Sequence, residues 1–283
     1  MRYVVNISPG ITLSNQLTSL APILKWPGGK RWLLDHLLKY GPRSFENYHE
    51  PFLGGAALFF KLQPQNAFLS DINHRLIETY RALKDEPRKV IAALRRLRNT
   101  KSEYYRVRDR YLPRSSAGLA AKVYYLQRLS FNGIYRENRF GQFNVPYGYK
   151  DHLAVYDRLH ILAASKALAG ANLVTGDFAG VLDRAKSGDF VYMDPPYTVA
   201  HNNNGFIKYN ARMYSWQSQQ ELSAVAQELR SRGCFVMISN AYHSPLINLY
   251  TRGFRVVRIS RNSVIAAQSE HRRRRSEALI ISV

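Results

Sequence analysis

The apolar run Phe190-Val191-Tyr192-Met193, followed at once by Asp194-Pro195-Pro196-Tyr197, constrains this chain more than any other stretch. Two prolines can neither donate to a strand ladder nor leave φ free, so the pattern predicts a buried parallel strand that hands over to a stiff loop. Polar groups then collect at the strand's carboxyl end, where open α/β sheets hold their ligands. The loop offers a carboxylate, backbone carbonyls and an aromatic face, a set that suits an exocyclic amine on a flat heterocycle. A plain strand end with a turn would look the same in isolation, so the other stretches must decide.

Two glycine turns lie upstream. Leu24-Lys25-Trp26-Pro27-Gly28-Gly29-Lys30 lets backbone approach a bound group closely and sets a large flat ring beside two lysines. A helix is expected over residues 31–40. Tyr48-His49-Glu50-Pro51-Phe52-Leu53-Gly54-Gly55 then reads as strand, acid, glycine turn and helix. It lacks the G-x-G-x-x-G spacing of a pyrophosphate loop. The next strand ends in Asp71, seventeen positions after Gly54, where a ribose diol is commonly held. The order favours a nucleoside without requiring a diphosphate.

Charge narrows the partner. With 41 Lys and Arg against 20 Asp and Glu, the formal net charge is +21, on a chain that is 46% hydrophobic and therefore expected to fold. Such a surplus points to a polyanion, nucleic acid before membrane. No stretch approaches the roughly 18 apolar residues of a membrane span, and the start of the chain lacks the apolar core of a secretion signal. A soluble, cytoplasmic protein is expected, with residues 1–20 a loosely held extension and a monomer the default state. One cysteine, Cys234, excludes internal disulfides and cysteine-built zinc sites, and its place in an apolar run argues for the core rather than for a nucleophile. No metal is expected.

From Ile72 to Ser130 the apolar spacing is helical and the surface basic, with Pro87 and Pro113 as punctuation. Residues 131–149 differ in kind. Aromatics interleave with Asn, Gln and Arg, and Gly141 is placed to turn a hairpin, a shape that fits a major groove with side chains that read base edges. A helix over 153–168 returns to the sheet, and a strand over 172–175 leads to Gly176-Asp177-Phe178. Residues 198–214 form a long polar loop beside the proposed site. A helix around 222–229, a buried strand from Cys234 to Ile238 that ends at Ser239-Asn240, and two closing strands over 254–259 and 278–283 complete the pattern. The closing strands bracket Arg272-Arg273-Arg274-Arg275, a candidate phosphate clamp.

Taken in order, these stretches resemble the Dam family of DNA adenine methyltransferases: the Trp26 and Glu50 turns, Ser70-Asp71-Ile72-Asn73, Phe131-Asn132-Gly133 with Gly141 to Gly148, Gly176-Asp177-Phe178 and Asp194-Pro195-Pro196-Tyr197. The resemblance implies a Rossmann-like α/β fold, mostly parallel with a C-terminal antiparallel hairpin strand. It also implies a catalytic domain over 21–75 and 153–283, and a helical target-recognition domain with a β-hairpin over 76–152. S-adenosyl-L-methionine is then the cofactor, and the N6 amine of a flipped adenine in double-stranded DNA is the acceptor, at GATC or a related site, in a bacterium or a phage-infected one. Asp194, Pro195, Pro196 and Tyr197 match the catalytic loop. Trp26, Lys30, Glu50, Pro51, Phe52, Gly54, Asp71, Asp177, Phe178 and Asp194 match the cofactor pocket. Lys25, Asn132, Ile134, Arg136, Asn138 and Pro146, with Arg272 and Arg273, are the DNA-binding candidates. Ile134, Tyr149 and Pro27 replace residues more usual in the family, so the recognition sequence is left open. Two alternatives stand at this stage, a cytosine N4 methyltransferase and an inactive DNA-binding protein of the same fold.

Overall fold

The computed structural model describes residues 20–138, 140–197, 214–261 and 275–283. The expected N-terminal extension, nearly all of the loop over 198–214, and Arg272 and Arg273 lie outside the described residues. The chain forms two compact units. One comprises Leu38–Leu53, Pro64–His74 and Asn172–Val283; the other comprises Met1–Leu37, Gly54–Gln63 and Arg75–Ala171.

The strands are β1 (Tyr48–Glu50), β2 (Ala67–Asp71), β3 (Ala171–Thr175), β4 (Phe190–Met193), β5 (Phe235–Ala241), β6 (Phe254–Arg261) and β7 (Arg275–Ser282). The helices are α1 (Leu34–Tyr40), α2 (Ala57–Leu62), α3 (His74–Asp85), α4 (Pro87–Leu94), α5 (Lys101–Asp109), α6 (Ser116–Leu129), α7 (Arg158–Leu168), α8 (Trp216–Ser231) and α9 (Ser244–Ile247). No helix among the described residues is long and apolar enough to cross a membrane.

The sheet runs β3-β2-β1-β4-β5-β7-β6. β1 pairs in parallel with β2 and β4, β4 in parallel with β5, and β7 antiparallel with β5 and β6. This is the methyltransferase-like sheet expected from the sequence, with β7 inserted as the antiparallel strand. Strand order reverses between β1 and β4, and a crevice opens at the carboxyl ends on such a reversal.

Residues two apart on a strand share a face, which sorts the site from the core. On one face Tyr48, Phe190 and Phe235 are register neighbours, with ring centroids 5.5 and 5.7 Å apart. Two positions on, that face carries Glu50, Tyr192 and Met237; two further, it carries Asp194 and Ser239. The opposite face sends Val191, Met193, Val236 and Ile238 into a core with Leu222, Ala226 and Leu229 of α8 and Ala278 and Ile280 of β7. Each Val, Leu, Ile or Met side chain among them contributes about 1.5–3 kcal/mol by burial, which fixes the register and with it the polar row.

At the amino ends of the strands a buried polar cluster ties β1 to the segment before β4. Neutral His49 donates from Nε2 to Asp189 Oδ2 at 2.8 Å, with both side chains 1% exposed. Asp189 also accepts from Asn47 N, Asn47 Nδ2 and Lys186 N. Burial depresses His49 below its usual range, outweighing the pull of Asp189. Asp189 is held low by the hydrogen bonds it accepts from Lys186, His49 and Asn47, although burial opposes this.

In the other unit, helix starts follow side-chain caps. Thr100 accepts from Glu103 N at 3.2 Å, Ser115 from Gly118 N at 3.1 Å and Asp157 from His160 N at 3.0 Å. Each such cap is worth about 1 kcal/mol. Pro87 opens α4 at its first turn, where a missing N–H costs nothing. Buried tyrosines bridge helices to the segment that follows α6: the Tyr104 hydroxyl donates to Val145 O at 3.0 Å, and the Tyr147 hydroxyl to Asn99 Oδ1 at 2.7 Å.

Because the folded His49 binds its proton more weakly than the unfolded one, its contribution to stability is complete above about pH 6.5 and is lost as pH falls below that value. Melting followed from pH 8 to 5 should show a stability loss that steepens below about 6.5, by up to about 1.4 kcal/mol per pH unit for the one proton. His49→Gln should remove that share of the slope while lowering stability at neutral pH; an unchanged slope would show that His49 does not titrate on unfolding.

Candidate active site

Asp194 leaves β4 at the strand-order reversal, and Pro195 behind it is buried. Its carboxylate oxygen Oδ1 accepts from Ser239 Oγ, on the neighbouring β5, at 2.7 Å. Ser239 Oγ in turn lies 2.9 Å from the Tyr192 hydroxyl, and Tyr192 and Ser239 are both buried. Glu50, at the end of β1 on the same face, is buried and accepts from the Tyr48 hydroxyl at 2.9 Å. Burial first, then the Glu50 charge, pushes the Tyr48 phenol well above its ordinary range. Burial first, then Asp194, does the same for Tyr192. Tyr197 is half-buried, and burial together with the carboxylates of Asp194 and Glu277 likewise keeps its phenol protonated.

The remaining candidates in the sheet unit cluster at the carboxyl ends of β1, β2 and β3. Leu53 N donates to Ser70 O at 3.0 Å, and Gly176 N to Asp71 O at 3.1 Å, which draws the loops after these strands together. Phe52 stacks on Phe178, with centroids 5.3 Å apart and planes 22° from parallel, and Tyr214 meets both edge-on. Asp71 Oδ1 accepts from Asn73 N at 2.9 Å. Asp177 is exposed and caps the 3-10 turn Phe178–Asp183 through Ala179 N. Pro51 is buried beside His49. Among the described residues no group of three or more His, Cys, Asp or Glu could hold a metal ion.

Trp26, Lys30 and Gly54 belong to the helical unit. Gly54 has φ of 44°, and a Cβ there would meet Trp26 Cδ1 at 3.0 Å, so this turn admits only glycine without strain. Lys30 is buried and donates to Gly28 O at 3.2 Å. Trp26 stacks on Tyr135, with centroids 4.6 Å apart.

That stack anchors the segment 131–149. Its hairpin carries two isolated bridges, Ser130 with Tyr147 and Glu137 with Phe143, rather than an extended ribbon. Tyr135 is buried and donates to Glu137 Oε1, which Arg75 Nη1 holds at 2.5 Å while also donating to Gly141 O at 3.1 Å. Between these anchors Ile134 and Arg136 are exposed, as is Pro146 between buried Val145 and Tyr147. Arg136 Nε donates to Asn144 Oδ1 at 2.8 Å. Exposed Asn132 takes φ of 55°, and at the next residue a Cβ on Gly133 would lie 2.8 Å from Lys25 Cδ. The missing side chain of Gly133 therefore leaves room for the Lys25 side chain to pass against its backbone. Asn138 instead uses its carboxamide in the turn, accepting from Phe140 N and Gln142 N and donating to Gln142 Oε1.

Sequence reasoning passed over Ser239, Tyr192, Arg75, Tyr135 and Glu137. For Tyr192 the signal was available, since it shares a face with Asp194 two residues on. Ser239 depends on the pairing of β4 with β5, which no local pattern states.

Residues 26–265 match the family of D12 class N6 adenine-specific DNA methyltransferases. The chain is 36% identical over 277 residues to Type II methyltransferase M1.LlaDCHI of Lactococcus lactis subsp. cremoris, covering 95% of this chain and 97% of that one. It is 29% identical to the DNA adenine methylase of Vibrio cholerae O395, over 91% of this chain and 94% of the relative. To the DNA adenine methylase of Escherichia coli K12 it is 30% identical, over 77% and 79% of the two chains. A match over residues 26–265, on a chain whose sheet reverses its strand order at Asp194, settles the family: this protein belongs to the D12 class of N6 adenine-specific DNA methyltransferases.

Proposed function

We propose that the chain transfers the methyl group of S-adenosyl-L-methionine to the N6 amine of an adenine flipped out of double-stranded DNA, at GATC or a related site. The observation that carries this reading is the position of Asp194 and Pro195 at the carboxyl end of β4, on the face where Glu50 and Ser239 also stand.

The residues present fit the cofactor. Its adenosine needs flat apolar partners, which Phe52 and Phe178 offer, and an acceptor for the ribose diol, which Asp71 offers at the end of β2. Its amino acid end needs acceptors for an ammonium group, a role open to the buried carboxylate of Glu50. Trp26, Lys30, Pro51, Gly54 and Asp177 are assigned to cofactor binding on the family motif. When bound, the cofactor supplies an electrophilic methyl group on a sulfonium sulfur.

The protein's task is to make a poor nucleophile competent. The adenine amine has its lone pair delocalised into the ring, and attack localises that pair and builds positive charge on nitrogen. Asp194 and the Pro195 carbonyl accept the amine hydrogens and stabilise that charge, an effect that is large where water is excluded. Pro195 and Pro196 keep these acceptors stiff, and Tyr197 offers its ring to the base. Flipping costs a few kcal/mol of stacking and pairing, which contacts of the basic surface with phosphates offset. Cys234 takes no part: it is buried, donates to Lys186 O, and burial pushes its thiol up to about 11.

Residues 76–152 are the proposed target-recognition domain. Lys25, Asn132, Ile134, Arg136 and Pro146 present exposed side chains for base or backbone contact, and Asn138 shapes the turn between them. Arg272 and Arg273 are proposed phosphate contacts on sequence grounds alone. The bacterial sources of the relatives support action in a cytoplasm.

Duplex DNA methylated by the protein and digested to nucleosides should yield N6-methyl-2′-deoxyadenosine and no N4-methyl-2′-deoxycytidine. Asp194→Ala should abolish transfer while DNA binding stays within about twofold, and an active variant would refute the role of Asp194. Cys234→Ala should remain active. Arg136→Ala should relax sequence preference by about 1–3 kcal/mol at one position; an even loss of affinity across all sequences would show that Arg136 contacts only phosphate.

A further inference from the structure

Asp194 has one soft degree of freedom. Its backbone is restricted by the prolines that follow, but the rotation of a carboxylate about its last bond is broad and twofold rather than staggered. A hydrogen-bond acceptor for an amine must present its lone pairs in a fixed plane, so something outside the loop has to set that plane.

The neighbouring strand supplies it. Ser239 Oγ stands 2.7 Å from Asp194 Oδ1, and the Tyr192 hydroxyl stands 2.9 Å from Ser239 Oγ. The direction of both bonds follows from proton count. A carboxylate only accepts, so the single serine proton goes to Asp194, and the Tyr192 proton must then go to Ser239. Both donors are buried, at 2% and 0% exposure, and the phenol stays protonated because burial and the Asp194 charge push it well above its ordinary range.

We propose that Ser239, oriented by Tyr192, is a positioning residue that fixes the plane of the Asp194 carboxylate before the target base arrives. Tyr192 donates to Ser239 and Ser239 to Asp194, two aligned bonds that polarise one another. No proton changes owner along this chain, so it acts by orientation and not as a relay. This inference rests on the assignment of Asp194 as acceptor for the adenine amine.

The test is single-turnover methyl transfer, which reads the chemical step without product release. Ser239→Ala should slow that step about 10- to 100-fold, the loss expected for a hydrogen bond to a charged group. Dissociation constants for DNA and cofactor should stay near those of the parent, while the melting temperature should fall by the several degrees expected when the buried Tyr192 hydroxyl loses its partner. Ser239→Thr, which keeps the hydroxyl, should recover most of the rate. Tyr192→Phe should slow transfer a few-fold, and should have no further effect once Ser239 is alanine, because the phenol acts only through the serine.

Transfer by Ser239→Ala at the parent rate would overturn the proposal, as would independent, multiplicative losses from the two substitutions. A loss of DNA or cofactor binding that accounts for the whole effect would overturn it too. Should Ser239→Ala fail to fold, Tyr192→Phe decides, with a slowed step at unchanged melting temperature in favour and an unslowed one against. Asp194→Ala, measured alongside, separates the two levels. If it is inactive while Ser239→Ala is not, only the positioning role fails; if it remains active, the reading of Asp194 itself is wrong.

Discussion

The pairing of β4 between β1 and β5 is the constraint on which the rest depends. Parallel strands buried on both faces must fill each face along its length, and here one face begins with the rings of Tyr48, Phe190 and Phe235. Those rings lock the register from below. The apolar residues of the opposite face lock it from behind. With register fixed, the polar side chains that end the three strands have no choice about where they stand. A slip of one residue would turn Asp194 into the core and bring Met193 to the crevice.

The buried polar groups divide by position along the strands. At the amino ends, His49, Asp189 and Asn47 form a satisfied cluster that braces β1 against the start of β4. At the carboxyl ends, buried Glu50 and Ser239 flank half-buried Asp194, with Ser239 donating to the Asp194 carboxylate. Both sets cost desolvation energy, and in both the hydrogen bonds offset it. The first braces the strands, and the second lines the site proposed for methyl transfer.

Much of this was legible in the sequence because it is local. The run ending in two prolines declared β4 and its loop, and the strand-acid-glycine pattern declared the end of β1. Helix starts were less legible. Residue 153 seemed to open a helix that begins at Arg158, because Asp157, its cap, carries no apolar signal. Ser239 was read only as a strand end, since its partner is 45 residues away in sequence. In the aromatic segment 131–149, Asn132, Ile134, Arg136, Asn138 and Pro146 stood as DNA-binding candidates, but the inward-facing residues between them were not named. Tyr135 and Glu137 face the protein, and the two-residue alternation that separates them from Ile134 and Arg136 was present in the sequence.

That alternation bears on how such an enzyme acquires a new target. Odd-numbered residues of both arms, Tyr135, Glu137, Val145 and Tyr147, are held by Trp26, Arg75, Tyr104 and Asn99, while Ile134, Arg136 and Pro146 between them are exposed. Substitutions at exposed positions usually change stability by no more than about 0.5 kcal/mol. The residues proposed to contact DNA can therefore be rewritten one at a time while the frame that presents them stays folded, and on that reading divergence of specificity is not paced by the stability of the fold.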